Sequence, residues 1–162
     1  MASLTVWKFD TPDGADQALA KLESLKKQQL ITVQDAAVVS WPVGKKQPKT
    51  KQAVSLAGAG ALQGAFWGML FGLIFFIPFF GLAVGVAMGA LMGHFSDYGI
   101  DDKFIKEVQS KVTEGTSALF LLTSDAVVDK VAEAFKGTKM DLIQSNLSAE
   151  QEAALSEAFS AE

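Results

Sequence analysis

The sequence contains no cysteine, no arginine and only one histidine, His94. Without cysteine the chain can form neither disulfides nor thiolate zinc sites. All 14 basic residues are lysines and the net charge is -4, which argues against nucleic-acid binding, because that function needs a basic face and usually arginine. No Ser/His/Asp or Cys/His catalytic arrangement is recognisable. We therefore expect a non-enzymatic protein without a cofactor or metal.

Charge is also missing from the middle of the chain, where no Asp, Glu, Lys or Arg occurs between Gln52 and Ser96. Glycines recur there at every fourth position, in one set of Gly60, Gly64, Gly68 and Gly72 and a second set of Gly81, Gly85, Gly89 and Gly93. Residues four apart share one face of a helix. Each set therefore predicts a glycine zipper, a stripe of small residues on which another helix packs closely. Since glycine in a helix costs roughly 1 kcal/mol relative to alanine, such packing must compensate.

Pro78 lies between the two glycine sets, so the uncharged stretch predicts a helical hairpin with arms at about 57–77 and 80–96. At about 1.5 Å per residue, each arm is long enough to cross most of a roughly 30 Å hydrocarbon layer. The hairpin tip is apolar and contains Phe75, Phe76, Pro78, Phe79 and Phe80. An apolar tip favours a hairpin that stops inside the bilayer, or one buried in the middle of an oligomer. True spanning, with the aromatic residues at the far interface, stays open.

A basic cluster of Lys45, Lys46, Lys49 and Lys51 directly precedes the uncharged stretch. These lysines either contact anionic lipid head groups, at about 1 kcal/mol each, or form a solvated loop. Lysine on this flank predicts that both ends of the hairpin, and so both termini, are cytoplasmic. The first residues lack the charged and apolar regions of a signal peptide, so we expect no cleaved leader.

On either side of the hairpin, the sequence predicts two β-α-β halves and further helices. The strands are expected at 4–9, 31–41, 117–122 and 140–144, and the helices at 13–30, 101–112 and 125–135, with a last helix that begins after Ser148. Ser148 and Gln151 have the spacing of a capping box. The order predicts an α+β fold with a ferredoxin-like sheet whose helices lie on one face. The chain divides into residues 1–52, 53–97 and 98–162.

Polar residues at the base of the hairpin offer the remaining candidate chemistry. His94 is either a proton carrier or an interfacial residue that ends a helix, and we favour the second interpretation. Asp97, Asp101 and Asp102 could form a cation site, but their spacing lacks the alternation of an EF-hand loop. We favour turn and helix-cap roles for these aspartates.

Several motifs resemble a bacterial family of predicted membrane proteins of unknown function. The resemblance is carried by the glycine-rich stretch from Gly64 to Gly93 with Pro78, by the DYGIDD element at 97–102, and by the run Gly115–Leu122. Residues 35–39 and 147–150 are similar as well, so the likeness extends over nearly the whole chain. The resemblance implies a membrane-associated protein and brings no established activity, cofactor or catalytic residue.

Two main hypotheses follow for the function. The first is a membrane-associated structural or interaction protein that forms homo-oligomers through its glycine hairpin. The second is a soluble, cytoplasmic homo-oligomer whose hairpins bury one another. A third is a module that holds lipid among the hairpins. Expected partners are a second copy of the chain and membrane lipid, with no nucleic acid.

Overall fold

The structure, a computed structural model, describes residues 2–58, 61–76 and 95–159. Within these ranges a five-stranded antiparallel sheet has the strand order β3-β2-β4-β1-β5. The strands are β1 (Ala2–Phe9), β2 (Asp35–Ser40), β3 (Lys49–Gln52), β4 (Ser117–Ser124) and β5 (Met140–Leu147). The predicted α+β class is therefore confirmed.

Five α-helices accompany the sheet in the described part of the chain. They are α1 (Gly14–Lys27), α2 (Gly64–Phe71), α3 (Asp102–Lys111), α4 (Asp125–Ala134) and α5 (Ala149–Phe159). A π-helical turn, Gly72–Phe76, continues α2 without a break.

The two β-α-β halves interlock in the sheet. Helix α1 joins β1 to β2, and these two strands lie on either side of β4. Helix α4 joins β4 to β5, and these lie on either side of β1. Each half therefore supplies a central strand to the other, and Leu4 of β1 pairs with both Leu122 and Ser145. Neither half can complete its hydrogen-bond ladder alone.

Helices α1 and α4 cover the first face of the sheet. Trp7 and Phe135 are both buried there, and their rings meet edge to face at 5.5 Å between centroids. Leu22 of α1 and Val131 of α4 complete this core with Leu121 of β4. The apolar spacing of both helices predicts this packing.

The second face is covered by α2, the π-helical turn, α3 and α5, so the expectation of helices on one face only was wrong. The reason lies in the central strands. Leu4, Val6, Phe120 and Leu122 face the second side and are buried. A sheet that is apolar on both faces must be covered on both. The helices of this layer come from the described parts of segments 53–97 and 98–162.

Element bounds depart from the sequence prediction mainly near the uncharged stretch. Helix α2 begins at Gly64, whereas helix was expected from about 57. Strand β2 is shorter than predicted, and the lysine stretch after it forms the β2–β3 hairpin. Strand β5 is longer and ends at Leu147.

The predicted capping box is confirmed. The Ser148 N–H donates to Gln151 Oε1 at 2.9 Å, and the Gln151 N–H donates to Ser148 Oγ at 3.1 Å. Helix α5 begins there, and its Leu155 and Phe159 are buried as expected.

Candidate interaction surface

Helix α2 has two unlike faces, and the aromatic one is buried against the sheet. Phe66, Trp67, Leu70 and Phe71 are all buried. Phe71 meets Phe120 of β4 edge to face at 5.0 Å, and Trp67 meets the same ring at 6.3 Å. Burying aromatic side chains of this size contributes a few kcal/mol each. The aromatic packing fixes which face of α2 points outward.

The outward side of α2 carries Gly64, Gly68 and Gly72, which we call the glycine face. Gly64 and Gly68 are exposed and Gly72 is half-buried. A Cβ added at Gly68 or Gly72 would meet no described atom within 4 Å, and one at Gly64 would lie 3.7 Å from Gln52 Oε1. The packing predicted for these three glycines is therefore not made within the described residues. Gly60 and the second set, Gly81 to Gly93, lie outside them.

Asp35 anchors the uncharged segment to strand β2. Its carboxylate is completely buried and accepts hydrogen bonds from the Leu62 N–H at 2.8 Å and from Trp67 Nε1 at 3.0 Å. Gln52 Nε2 donates to Asp35 Oδ2 at 3.0 Å, and the Ala36 N–H donates to Oδ1 at 2.8 Å. Both oxygens of the buried side chain thus accept hydrogen bonds from neutral donors. These bonds join β2, β3, the segment before α2 and α2 itself.

The predicted hairpin tip is partly described. Phe75 is buried and Phe76 half-buried, both in the π-helical turn, and Pro78, Phe79 and Phe80 lie outside the described residues. Gln109 of α3 donates to the Ile74 carbonyl at 3.2 Å. This bond ties the turn to the second-face layer.

The DYGIDD element forms a turn that docks on β5 and α5. Gly99 has a φ of +88°, and a Cβ there would lie 2.8 Å from Gln151 Oε1 and 3.1 Å from Asn146 O. Ser145 Oγ donates to the Gly99 carbonyl. The ring of Tyr98 packs edge to face on Phe159 at 6.0 Å. Burial raises the pKa of the Tyr98 phenol, and the charge of Asp97 adds to the rise.

The aspartates of this element act on helix α3. Asp101 is the N-cap and accepts from the Phe104 N–H at 2.9 Å. Asp102 pairs with Lys106 at 3.0 Å, one helical turn later. In the described part of the chain, no three His, Asp or Glu side chains are grouped closely enough to hold a metal ion. His94 lies outside the described residues.

The structure divides the basic cluster. Lys45 and Lys46 are exposed in the β2–β3 loop. Lys49 and Lys51 lie on β3 opposite Ser40 and Val38, and Val38 belongs to the first-face core, so these two lysines lie on the side of α1. Lys51 pairs there with Asp16 at 3.4 Å. The glycine face lies on the other side of the sheet.

A second charged group lies at the end of β1. Lys8 donates to Asp10 at 2.8 Å, and Lys139 lies 3.2 Å from the same carboxylate. The hydrogen bond with Lys8 lowers the pKa of Asp10, and the same bond raises the pKa of Lys8. The adjoining cavity of about 400 Å³ is lined by Phe9, Phe135 and the first turn of α1. Lys8 also lies 3.6 Å from Asp141, so two lysines pair with two carboxylates and the charges of this group balance.

Among the described residues, no helix has both the length and the apolar character needed to cross a membrane.

The glycine face and the docked DYGIDD turn both lie in the part of the chain that matches a family model. Residues 61–160 match the family described as Protein of unknown function (DUF1269). The chain belongs to this family. No curated protein and no solved structure matches it. The DUF1269 match confirms the resemblance to a family of unknown function, and the membrane association that the resemblance implies stays a prediction.

Sequence reasoning missed the anchoring role of Asp35. A single acid at the start of an otherwise apolar strand, DAAVVS, was the available signal. Its partners Gln52, Leu62 and Trp67 are 17, 27 and 32 positions away, so no local pattern identifies them.

Proposed function

We propose that this member of the DUF1269 family is a non-enzymatic, membrane-associated interaction protein that self-associates through the glycine face of α2. The observation that carries the proposal is the outward direction of Gly64, Gly68 and Gly72. Each glycine costs roughly 1 kcal/mol in a helix. At Gly68 and Gly72, nothing among the described residues needs the space that a side chain would fill. A second small-residue helix face that approaches closely is the partner that such a stripe fits.

The packing of α2 supports an interaction role for this face. The aromatic side is committed to the sheet through Phe71 and Trp67, and Asp35 fixes the rotation of the helix. The glycine face is thereby presented on a rigid support. A preorganised surface loses less conformational entropy on association than a mobile one.

The membrane part of the proposal is supported by the sequence. The stretch between Gln52 and Ser96 carries no charged side chain, and lysines precede it. The finer fold assignment is also a proposal: without β3, the order β2-β4-β1-β5 and the two split β-α-β units support a ferredoxin-like sheet.

A soluble homo-oligomer is the second candidate, and one observation favours it. The aromatic face of α2 is buried in the chain's own core, so it is not available to lipid. Copies would then pair through the glycine faces in water.

The test combines fractionation with a substitution that the fold tolerates. We would separate membranes from a lysate without detergent and size the protein from whichever fraction holds it. Gly68→Leu should fold normally, because a Cβ at this position meets no described atom within 4 Å, and should reduce the assembly mass. Ala126→Leu, at an exposed position of α4, is the matched control.

Each outcome decides one part of the proposal. Membrane pelleting that resists carbonate and salt washes supports membrane association, and a soluble protein of defined high mass supports the second candidate instead. An unchanged assembly mass in Gly68→Leu contradicts the role of the glycine face in either case.

A further inference from the structure

The loop between β2 and β3 presents an apolar tip. The Lys45 N–H donates to the Pro42 carbonyl at 3.2 Å, and Gly44 has a φ of +88°. A turn with positive φ at its third residue is type II and requires glycine there. Val43 occupies the other central position and is 76% exposed. A large apolar side chain is therefore held in solvent by the geometry of the turn.

The loop is fixed at its base by Trp41. The Trp41 N–H donates to Thr116 O at 2.9 Å, and Trp41 Nε1 donates to Lys45 O at 2.9 Å. The indole ring packs at right angles on Phe75, 6.1 Å away. Because these contacts order the loop in advance, binding through it costs little conformational entropy. The contact with Phe75 also places the loop beside the end of the described part of the uncharged stretch.

The charge of the loop is of one sign. Residues 41–52 include four lysines and no acid. Within the described residues no ion pair involves Lys45, Lys46 or Lys49, whereas Lys51 pairs with Asp16. Lys45 and Lys46 thus follow the exposed valine with their charges uncompensated. Tryptophan, an exposed aliphatic side chain and free lysines together match the interface of a bilayer with anionic head groups.

We propose that the β2–β3 loop docks on an anionic lipid surface, with Lys45 and Lys46 at the head groups and Val43 inserted between them. The inference rests on the proposed membrane association and names the residues that make the contact. Of the four lysines in the basic cluster, only Lys45 and Lys46 are proposed to contact lipid, because Lys49 and Lys51 lie on the side of α1. The exposed Val43 favours lipid over an acidic protein surface. A bilayer can bury this apolar side chain, whereas a partner that binds only through charge would gain no binding free energy from it.

Co-sedimentation of the full chain with vesicles tests the proposal. We would compare phosphatidylcholine vesicles with vesicles that also contain phosphatidylserine. Lys45→Gln with Lys46→Gln should weaken binding to the anionic vesicles about 30-fold, since each lysine near such a surface contributes about fivefold. Val43→Ser should weaken it about tenfold. Added salt should weaken binding of the unsubstituted chain.

Matched controls are available on the same chain. Lys130→Gln with Lys136→Gln removes the same charge from exposed positions on and after α4. Leu30→Ser removes an aliphatic side chain that is 52% exposed and lies outside both the loop and the uncharged stretch. Neither control should change vesicle binding.

The outcomes separate this inference from the proposed function. Anionic vesicle binding that survives the loop substitutions, or that is equal on neutral vesicles, overturns the docking site and leaves membrane association standing. No binding to either vesicle overturns both the docking site and the membrane part of the proposed function. Self-association through the glycine face is decided separately, by the sizing of Gly68→Leu.

Discussion

Trp67 Nε1 donates to Asp35 Oδ2 at 3.0 Å, and this bond joins α2 to the sheet strand that precedes it by 32 residues. Both residues are buried, and Gln52 and the Leu62 N–H share the same carboxylate. The bond adds a buried polar link between α2 and the sheet to the aromatic packing of the second face.

Asp35→Asn should destabilise the fold. The amide nitrogen must replace one carboxylate oxygen and would then point its hydrogens at backbone or indole N–H groups that donate to Asp35. Leaving buried donors unpaired costs about 1–3 kcal/mol each, so we expect a loss of about 3 kcal/mol. Urea unfolding of the purified protein measures it.

The control for Asp35→Asn is Asp129→Asn, at an exposed position of α4. This control should change the free energy of unfolding by less than about 0.5 kcal/mol. Equal stability of the Asp35 and Asp129 variants would show that the buried carboxylate is not needed.

Gly99→Ala should be more costly than Gly44→Ala, although both glycines have a φ of +88°. The positive φ alone costs an alanine about 1–2 kcal/mol. At Gly99 the added Cβ would also lie 2.8 Å from Gln151 Oε1, whereas at Gly44 it would meet no described atom within 4 Å. The measurement is the loss of unfolding free energy in each variant. The loss in Gly99→Ala minus the loss in Gly44→Ala gives the cost of the steric contact at Gly99. Identical losses would indicate that the turn can move away from α5.

Tyr98 should make the fold sensitive to alkali. Burial raises its pKa in the folded state, so the folded chain holds the phenolic proton more tightly than the unfolded chain. The resulting stability is complete below the ordinary value of about 10 and is lost as pH rises through the folded value. Tyr98→Phe keeps the ring on Phe159 and removes the titration.

The measurement for Tyr98 is the unfolding free energy at about pH 8 and about pH 11. We expect a smaller decline in the Tyr98→Phe variant than in the unsubstituted chain. Parallel declines would mean that lysine titration alone causes the alkaline loss.

Gly68→Ala should raise the stability of the single chain. Gly68 lies within helix α2, its φ is not in the left-handed region, and the new methyl group would meet no described atom within 4 Å. Alanine is favoured over glycine in a helix by roughly 0.5–1 kcal/mol. Thermal unfolding at low protein concentration measures this gain without the contribution of assembly. A loss of stability there would indicate a close neighbour of Gly68.

Local patterns predicted the elements that depend on local chemistry. The capping box at Ser148 and the N-cap at Asp101 follow from residue type and spacing, and both are present. The apolar run 117–122 predicted a strand, and β4, which contains this run, is buried on both faces. The same observation should have predicted a second helical layer, because a strand with two apolar faces needs two covers.

Long-range relationships could not be predicted in the same way. The bond from Trp67 to Asp35 and the contact of Trp41 with Phe75 join residues more than 30 positions apart. The sequence predicted a single hairpin for the uncharged stretch. In the structure, the aromatic side of α2 packs on the sheet and only its glycine face points outward. A hydrophobic run does not reveal which of its faces the rest of the chain will bury.

The interlocked strands also bear on which fragment of the protein can be produced alone. The family match runs from 61 to 160 and so contains β4 and β5, but the strand between them is β1, from the other end of the chain. A fragment restricted to the matched residues would lack β1, the strand between β4 and β5. Phe120 and Ile143, which both pair with Val6 of β1, would then have no strand partner there. We expect such a fragment to aggregate or to recruit a strand from a neighbour. Expression trials on this family should therefore retain the residues before the matched region.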